Sequence, residues 1–92
     1  MTALLKTKGV IERLQRSRSA LEADVAAGMF PPPVRYGRNS VWPAAEVDAI
    51  AAAITAGTDG AGIKRLVIAI VETRQARADA ARAALLGTTF EG

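Results

Sequence analysis

Residues 28–43 read Gly28-Met29-Phe30-Pro31-Pro32-Pro33-Val34-Arg35-Tyr36-Gly37-Arg38-Asn39-Ser40-Val41-Trp42-Pro43, and this stretch decides the fold. Three successive prolines offer no backbone N–H and fix φ at about −65°, so no helix continues through them and an extended path is favoured. Phe30, just before them, is expected to fasten the crossing to the core. Beyond them, Val34-Arg35-Tyr36 and Ser40-Val41-Trp42 are short β-prone segments on either side of Gly37-Arg38-Asn39, a pattern that predicts a hairpin. Trp42 is expected in the core.

The same stretch organises its flanks. Gly28 is placed to end a preceding helix in the left-handed conformation. Ser17 is placed to cap the start of that helix, and Leu21 and Val25, four residues apart, share one of its faces. An earlier helix, with Thr7 as its cap, carries Val10, Ile11 and Leu14 at helical spacing. Leu14-Gln15-Arg16-Ser17 interrupts the two, so the order is helix, short turn, helix. On the other side, Pro43 suits the first position of a third helix and Glu46 puts an acid near its N-terminus. Val47, Ile50, Ala51 and Ile54 form its apolar face, and Gly57 ends it. Thr58 to Gly62 reads as a linker or frayed helix start. From Ile63 to about Leu86 no Gly or Pro intervenes, which predicts one long helix. The expected architecture is mainly α with a small β-hairpin: a winged helix-turn-helix over 1–57, a C-terminal helix over 58–86 and a flexible tail over 87–92.

Composition narrows the function. The 92 residues are 50% hydrophobic but only 4% aromatic, and they include no histidine and no cysteine. Disulfides, Cys/His metal sites, thiol nucleophiles and a histidine base are therefore absent from the repertoire. Carboxylates remain, but Gly60-Ala61-Gly62 followed by Lys64 is too short for a phosphate-cradling loop. No catalytic residue, metal or cofactor is expected, and the chain does not read as an enzyme. The longest apolar runs, 49–54 and 66–71, are too short to span a bilayer, and Lys6 and Lys8 precede no apolar leader segment. A cytoplasmic, nucleoid-associated protein is expected. Net charge is +3, and residues 1–42 carry seven basic and three acidic side chains while residues 43–92 carry five and six. Positive charge in the first half suits a polyanion, whose counterions are released on binding.

In a winged helix-turn-helix the second helix enters the major groove with its N-terminal residues towards the bases. Those residues here are Arg18 and Ser19, with Glu22 one turn on. Arginine bridges guanine bidentately and glutamate accepts from cytosine. Arg16 and Ser17 stand where a helix start meets phosphate. Arg35, Tyr36, Arg38 and Asn39 lie on the hairpin, placed to reach adjacent backbone or the minor groove. The plainer readings are that Ser17 only caps, that Arg18 and Glu22 form a solvated i, i+4 pair, and that the hairpin arginines are ordinary surface charge. In the last helix Ile63, Leu66, Val67 and Ile70 form one stripe, and Ile68 and Val71 widen it beyond what one small domain covers. Leu66, Val67, Ile68, Ile70 and Val71 are therefore expected to mediate homodimerisation, with core completion as the alternative. Ala78, Ala81 and Leu85 extend the seam, flanked by Arg74, Arg77 and Arg82.

Gly28 to Val34, Gly37 to Trp42 and Glu46-Val47 together resemble the pattern of AlpA-type phage regulators, which belong with the excisionase-like winged helices related to MerR. Ser17-Arg18-Ser19 is similar to the Ser-Arg-Ser or Ser-Arg-Thr that opens the family's recognition helix. The resemblance covers roughly residues 4–56. It implies sequence-specific binding of double-stranded DNA by a transcriptional regulator of a phage or integrated element, with helix 17–27 in the major groove and hairpin 34–42 as the wing. An excisionase that bends DNA for a recombinase, or an anti-repressor or adaptor binding another protein, would use the same fold. The chain departs from the family pattern at Gln15, where glycine is usual, at Arg16, where an apolar residue is usual, and at Glu22, where tyrosine is common.

Overall fold

The computed structural model describes residues 3–91, with side chains to residue 86. The elements run β1 (Leu4–Lys6), α1 (Thr7–Leu14), α2 (Arg18–Ala26), β2 (Val34–Tyr36), β3 (Asn39–Pro43), α3 (Ala44–Thr55) and α4 (Gly60–Glu91). The chain is mainly helical, with one small antiparallel sheet and a long C-terminal helix.

The sheet has three strands in the order β1-β3-β2, so the expected hairpin is present and gains a partner. β2 pairs with β3 through Val34–Val41, Arg35–Ser40 and Tyr36–Asn39. Gly37 takes φ +62° and Arg38 does not have positive φ, the requirement of a type II′ turn whose twist matches the strands. Asn39 therefore opens β3 and does not belong to the turn. β1 lies on the other side of β3, with Leu4 opposite Pro43 and Lys6 opposite Val41. This strand was absent from the sequence reading, and it removes the expected Thr7 cap. The chain passes straight from Lys6 into α1, Thr7 is the first helical residue, and no side chain caps the helix. Pro43 likewise remains in the sheet and stands one residue before α3.

Chain reversals fall at left-handed residues. Gln15 ends α1 at φ 54°, ψ 42°. Ser17 caps α2, its hydroxyl accepting from the Ala20 N–H at 3.1 Å. Gly28, at φ +77°, ends that helix while the Met29 N–H donates to the Asp24 carbonyl at 2.8 Å. The first bond satisfies an N–H at a helix start and the second a carbonyl at a helix end, groups that the helix itself leaves open. After the reversal Phe30 is buried and Pro31 turns inward. The Trp42 indole N–H donates to the Pro31 carbonyl at 2.8 Å, and the rings of Phe30 and Trp42 sit 5.9 Å apart at a tilt of 58°. Those contacts clamp the proline crossing against β3.

Val10, Leu21, Phe30, Trp42, Val47, Ile50, Ile63, Val67 and Ile70 form the buried cluster, with Leu5, Ile11, Leu14, Val25 and Leu66 packed against it. Two apolar expectations change. Ile54 is 59% exposed, because the last turn of α3 runs past the core. Val67 and Ile70 are buried with α3 residues, and Leu66 leans on the same cluster, so these three contribute to the core of this chain. Of the five residues expected at a dimer interface, Ile68 and Val71 stay exposed. α4 starts at Gly60, where the Asp59 carboxylate accepts from the Gly62 N–H at 2.8 Å, and its backbone stays helical to Glu91. Helix thus extends over most of the stretch expected as a loose tail. Among the described residues, no helix is long and apolar enough to cross a membrane.

Candidate nucleic-acid interface

α1 and α2 are joined by three residues, and Gln15 in the left-handed region turns the chain so that α2 begins at an exposed Ser17 and Arg18. Leu21 is buried and Val25 half-buried, which points the intervening residues outward. Arg18 and Glu22, four apart, share one side of the helix, while Ser19 lies exposed on another.

A groove of about 250 Å³ runs between α2 and the sheet. Arg18, Leu21, Glu22 and Val25 form one wall, and Pro33, Ser40 and Trp42 form much of the other. Thr7 closes it at the start of α1. The Ser40 hydroxyl in turn accepts from Arg35 Nη1 at 3.0 Å, across the strand pair that sets them opposite each other. The proline crossing and the hairpin therefore bring Arg35 and Ser40 to the edge that Arg18 and Glu22 face. Tyr36, Arg38 and Asn39 are exposed at the hairpin tip, Tyr36 by 71%.

Charge pairing sorts the arginines. Arg16 forks onto Asp24, with Nη2–Oδ1 and Nη2–Oδ2 both 2.8 Å and Nε–Oδ2 3.1 Å. The pair sits beside Leu14, Met29 and Phe30, away from the groove, so Arg16 is drawn off the face where the sequence placed it. Arg13 meets Asp48 of α3 at 2.9 Å. Arg74 of α4 clasps Glu46 of α3, with Nη2–Oε1 2.6 Å and Nε–Oε2 2.9 Å. Ser17 spends its hydroxyl on the α2 cap. By contrast, Arg18, Glu22 and Arg38 make no side-chain hydrogen bond or ion pair among the described residues. The Arg18–Glu22 pair of the plainer reading does not form, and both side chains remain available.

Two groups at the groove escaped the sequence reading, since Thr7 and Ser40 both line it. Thr7 comes here because β1 pairs with β3, and no local pattern signals a strand of three residues paired nearly forty positions away. Lys6 stands opposite Val41, on the sheet face away from Ser40 and Trp42. The groove side of α2 and the sheet therefore carries Arg18 and Arg35, with Glu22 as an acid beside them and Arg38 exposed at the hairpin tip. The chain matches no protein-family model, no curated protein and no solved structure.

Proposed function

We propose that this chain is a sequence-specific reader of double-stranded DNA built as a winged helix-turn-helix, with α1 and α2 as the two helices and β2–β3 as the wing. In this reading α2 enters the major groove. Arg18 and Glu22 face base edges, and the exposed N–H groups at Ser17 and Ser19 meet a phosphate. Arg35 and Arg38, with Tyr36 and Asn39, follow the adjacent backbone or minor groove. The observation that carries the proposal is the shared groove. It sets the start of a helix with two unpaired charged side chains beside an arginine-bearing hairpin. A transcriptional regulator of the AlpA type fits this arrangement.

Fluorescence anisotropy with duplexes from around the chain's own gene, at two salt concentrations, tests the proposal. Arg38→Ala should weaken all duplexes alike and lower the slope of log K against log salt by about one. Arg18→Ala should cost about 1–3 kcal/mol on the preferred duplex and relax its sequence preference. Absence of binding to any duplex at low salt would overturn the reading in favour of a protein-binding module. Binding to clustered sites with strong bending would instead identify an excisionase-type role.

A further inference from the structure

α4 is longer than the body it packs on. Thirty-two residues at a rise of about 1.5 Å make a rod of about 48 Å, which accounts for the 50 Å long dimension of the molecule. Its contacts with the core are made by Ile63, Leu66, Val67 and Ile70, and the last anchor is Arg74. Every residue from Gln75 to Leu86 is exposed. Four of its large hydrophobic residues are exposed, Ile68 by 58%, Val71 by 38%, Leu85 by 74% and Leu86 by 52%.

Those four residues are not scattered. At about 100° per residue they fall within an arc of roughly 100°, rotated about 90° from the buried stripe. They also fall in two groups along the helix axis, close to symmetrically about residue 77. Ile68 and Leu86 are nine residues on either side of it, and Val71 and Leu85 are six and eight. Between them the charges have the opposite property, since Glu72 and Arg82 stand five residues on either side and differ in sign.

We propose that a second copy of this chain covers this face, the two α4 helices running antiparallel about a dyad near residue 77. Ile68 and Val71 of one copy then meet Leu85 and Leu86 of the other. Glu72 meets Arg82, and both contacts occur twice. A parallel pair would instead bring Glu72 close to Glu72 and Arg82 close to Arg82. The charge order therefore selects the antiparallel arrangement. This interface leaves Leu66, Val67 and Ile70 in the core of each chain. It stands whether or not the chain binds DNA. Joined to the DNA reading, it sets the two bodies about 30 Å apart along α4, near the spacing of half-sites one helical turn apart.

Sedimentation equilibrium of the full chain without DNA, across the micromolar range, should show a monomer–dimer equilibrium. Glu72→Arg alone and Arg82→Glu alone should each weaken it on the order of tenfold, and the double swap should restore it. All of these positions are exposed, so unchanged circular dichroism confirms that the variants fold. Because the chain has no cysteine, Ile68→Cys and Leu86→Cys variants can be mixed and oxidised. Cross-links between position 68 of one chain and 86 of the other are expected. A monomer at every concentration, a double swap that stays dissociated, or preferential 68-to-68 cross-linking would overturn the proposal.

Discussion

The Glu46–Arg74 pair is the polar link between α3 and the long helix, and its worth can be bounded from its surroundings. Both side chains are largely covered, with 14% and 20% of their surface exposed, and three N–O contacts of 2.6 to 3.1 Å hold the fork. An exposed pair is worth about 0.2–1 kcal/mol, while breaking a fully buried one costs about 3–5 kcal/mol because a charge is stranded. At four-fifths burial, Glu46→Gln and Arg74→Gln should each cost about 2 kcal/mol. The double variant should cost about 2.5 kcal/mol, leaving a coupling of about 1.5 kcal/mol. Urea unfolding of the four proteins measures the cycle, and for a domain of this size each single change should lower Tm by about 10 °C. The Arg13–Asp48 pair is an internal control, since its side chains are 47% and 64% exposed. Its coupling should stay below about 0.5 kcal/mol and fall further in high salt. A Glu46–Arg74 coupling no larger than that of Arg13–Asp48 would refute the argument that burial sets the difference.

Gln15→Gly should stabilise the chain by about 0.5 kcal/mol in urea unfolding, because glycine takes the left-handed turn freely and only an exposed bond from Gln15 Nε2 to the Glu12 carbonyl is lost. Two glycines at the start of α4 should respond oppositely in the same assay. Gly60→Ala places its methyl 3.8 Å from Met29 Cε and should gain about 0.5 kcal/mol, whereas Gly62→Ala puts one 2.5 Å from Thr58 Cγ2 and should lose stability. Trp42→Phe removes the buried bond to Pro31 and should cost about 2–3 kcal/mol; a loss under about 1 kcal/mol would mean the clamp on the proline crossing is not important. Glu22→Gln should raise affinity for unrelated duplexes more than for the preferred one, as read by anisotropy, narrowing the ratio between them.

The sequence was most informative where backbone chemistry is local. Ser17, Gly28, Gly37 and Gly57 each announce a cap or reversal through their own side chain or lack of one, and the last three take positive φ. Pro31 to Pro33 exclude helix by their rings alone. What stayed hidden depends on partners far along the chain. β1 has no pattern of its own and exists because β3 has a free edge beside it. Arg74 lies 28 residues from Glu46, and nothing in either neighbourhood names the other. The stripe at 63–71 is equally suited to a core and to a second copy, and only the packing of α3 decides that Val67 and Ile70 turn inward. Arg16 illustrates the same limit at the start of α2. Its position beside the α2 cap suggests phosphate, yet the turn at Gln15 carries it to Asp24, eight residues on.

Folding therefore does more than place the basic residues; it decides which of them keep an unsatisfied charge. Arg13 and Arg16 are matched by Asp48 and Asp24, and Arg74 by Glu46. Those pairs lie where α3 meets α1 and α4, and where Arg16 folds back on α2. Lys6, Lys8, Arg18 and Arg38 have no such partner among the described residues, and Arg35 has only a hydroxyl. A surface kept positive in this way attracts any polyanion, which gives affinity without discrimination. Glu22 works against that attraction, since a carboxylate beside a phosphate is repelled and is useful only where a base offers it a donor. In the proposed DNA reading, Glu22 beside Arg18 thus lowers indiscriminate binding while leaving a single kind of contact open.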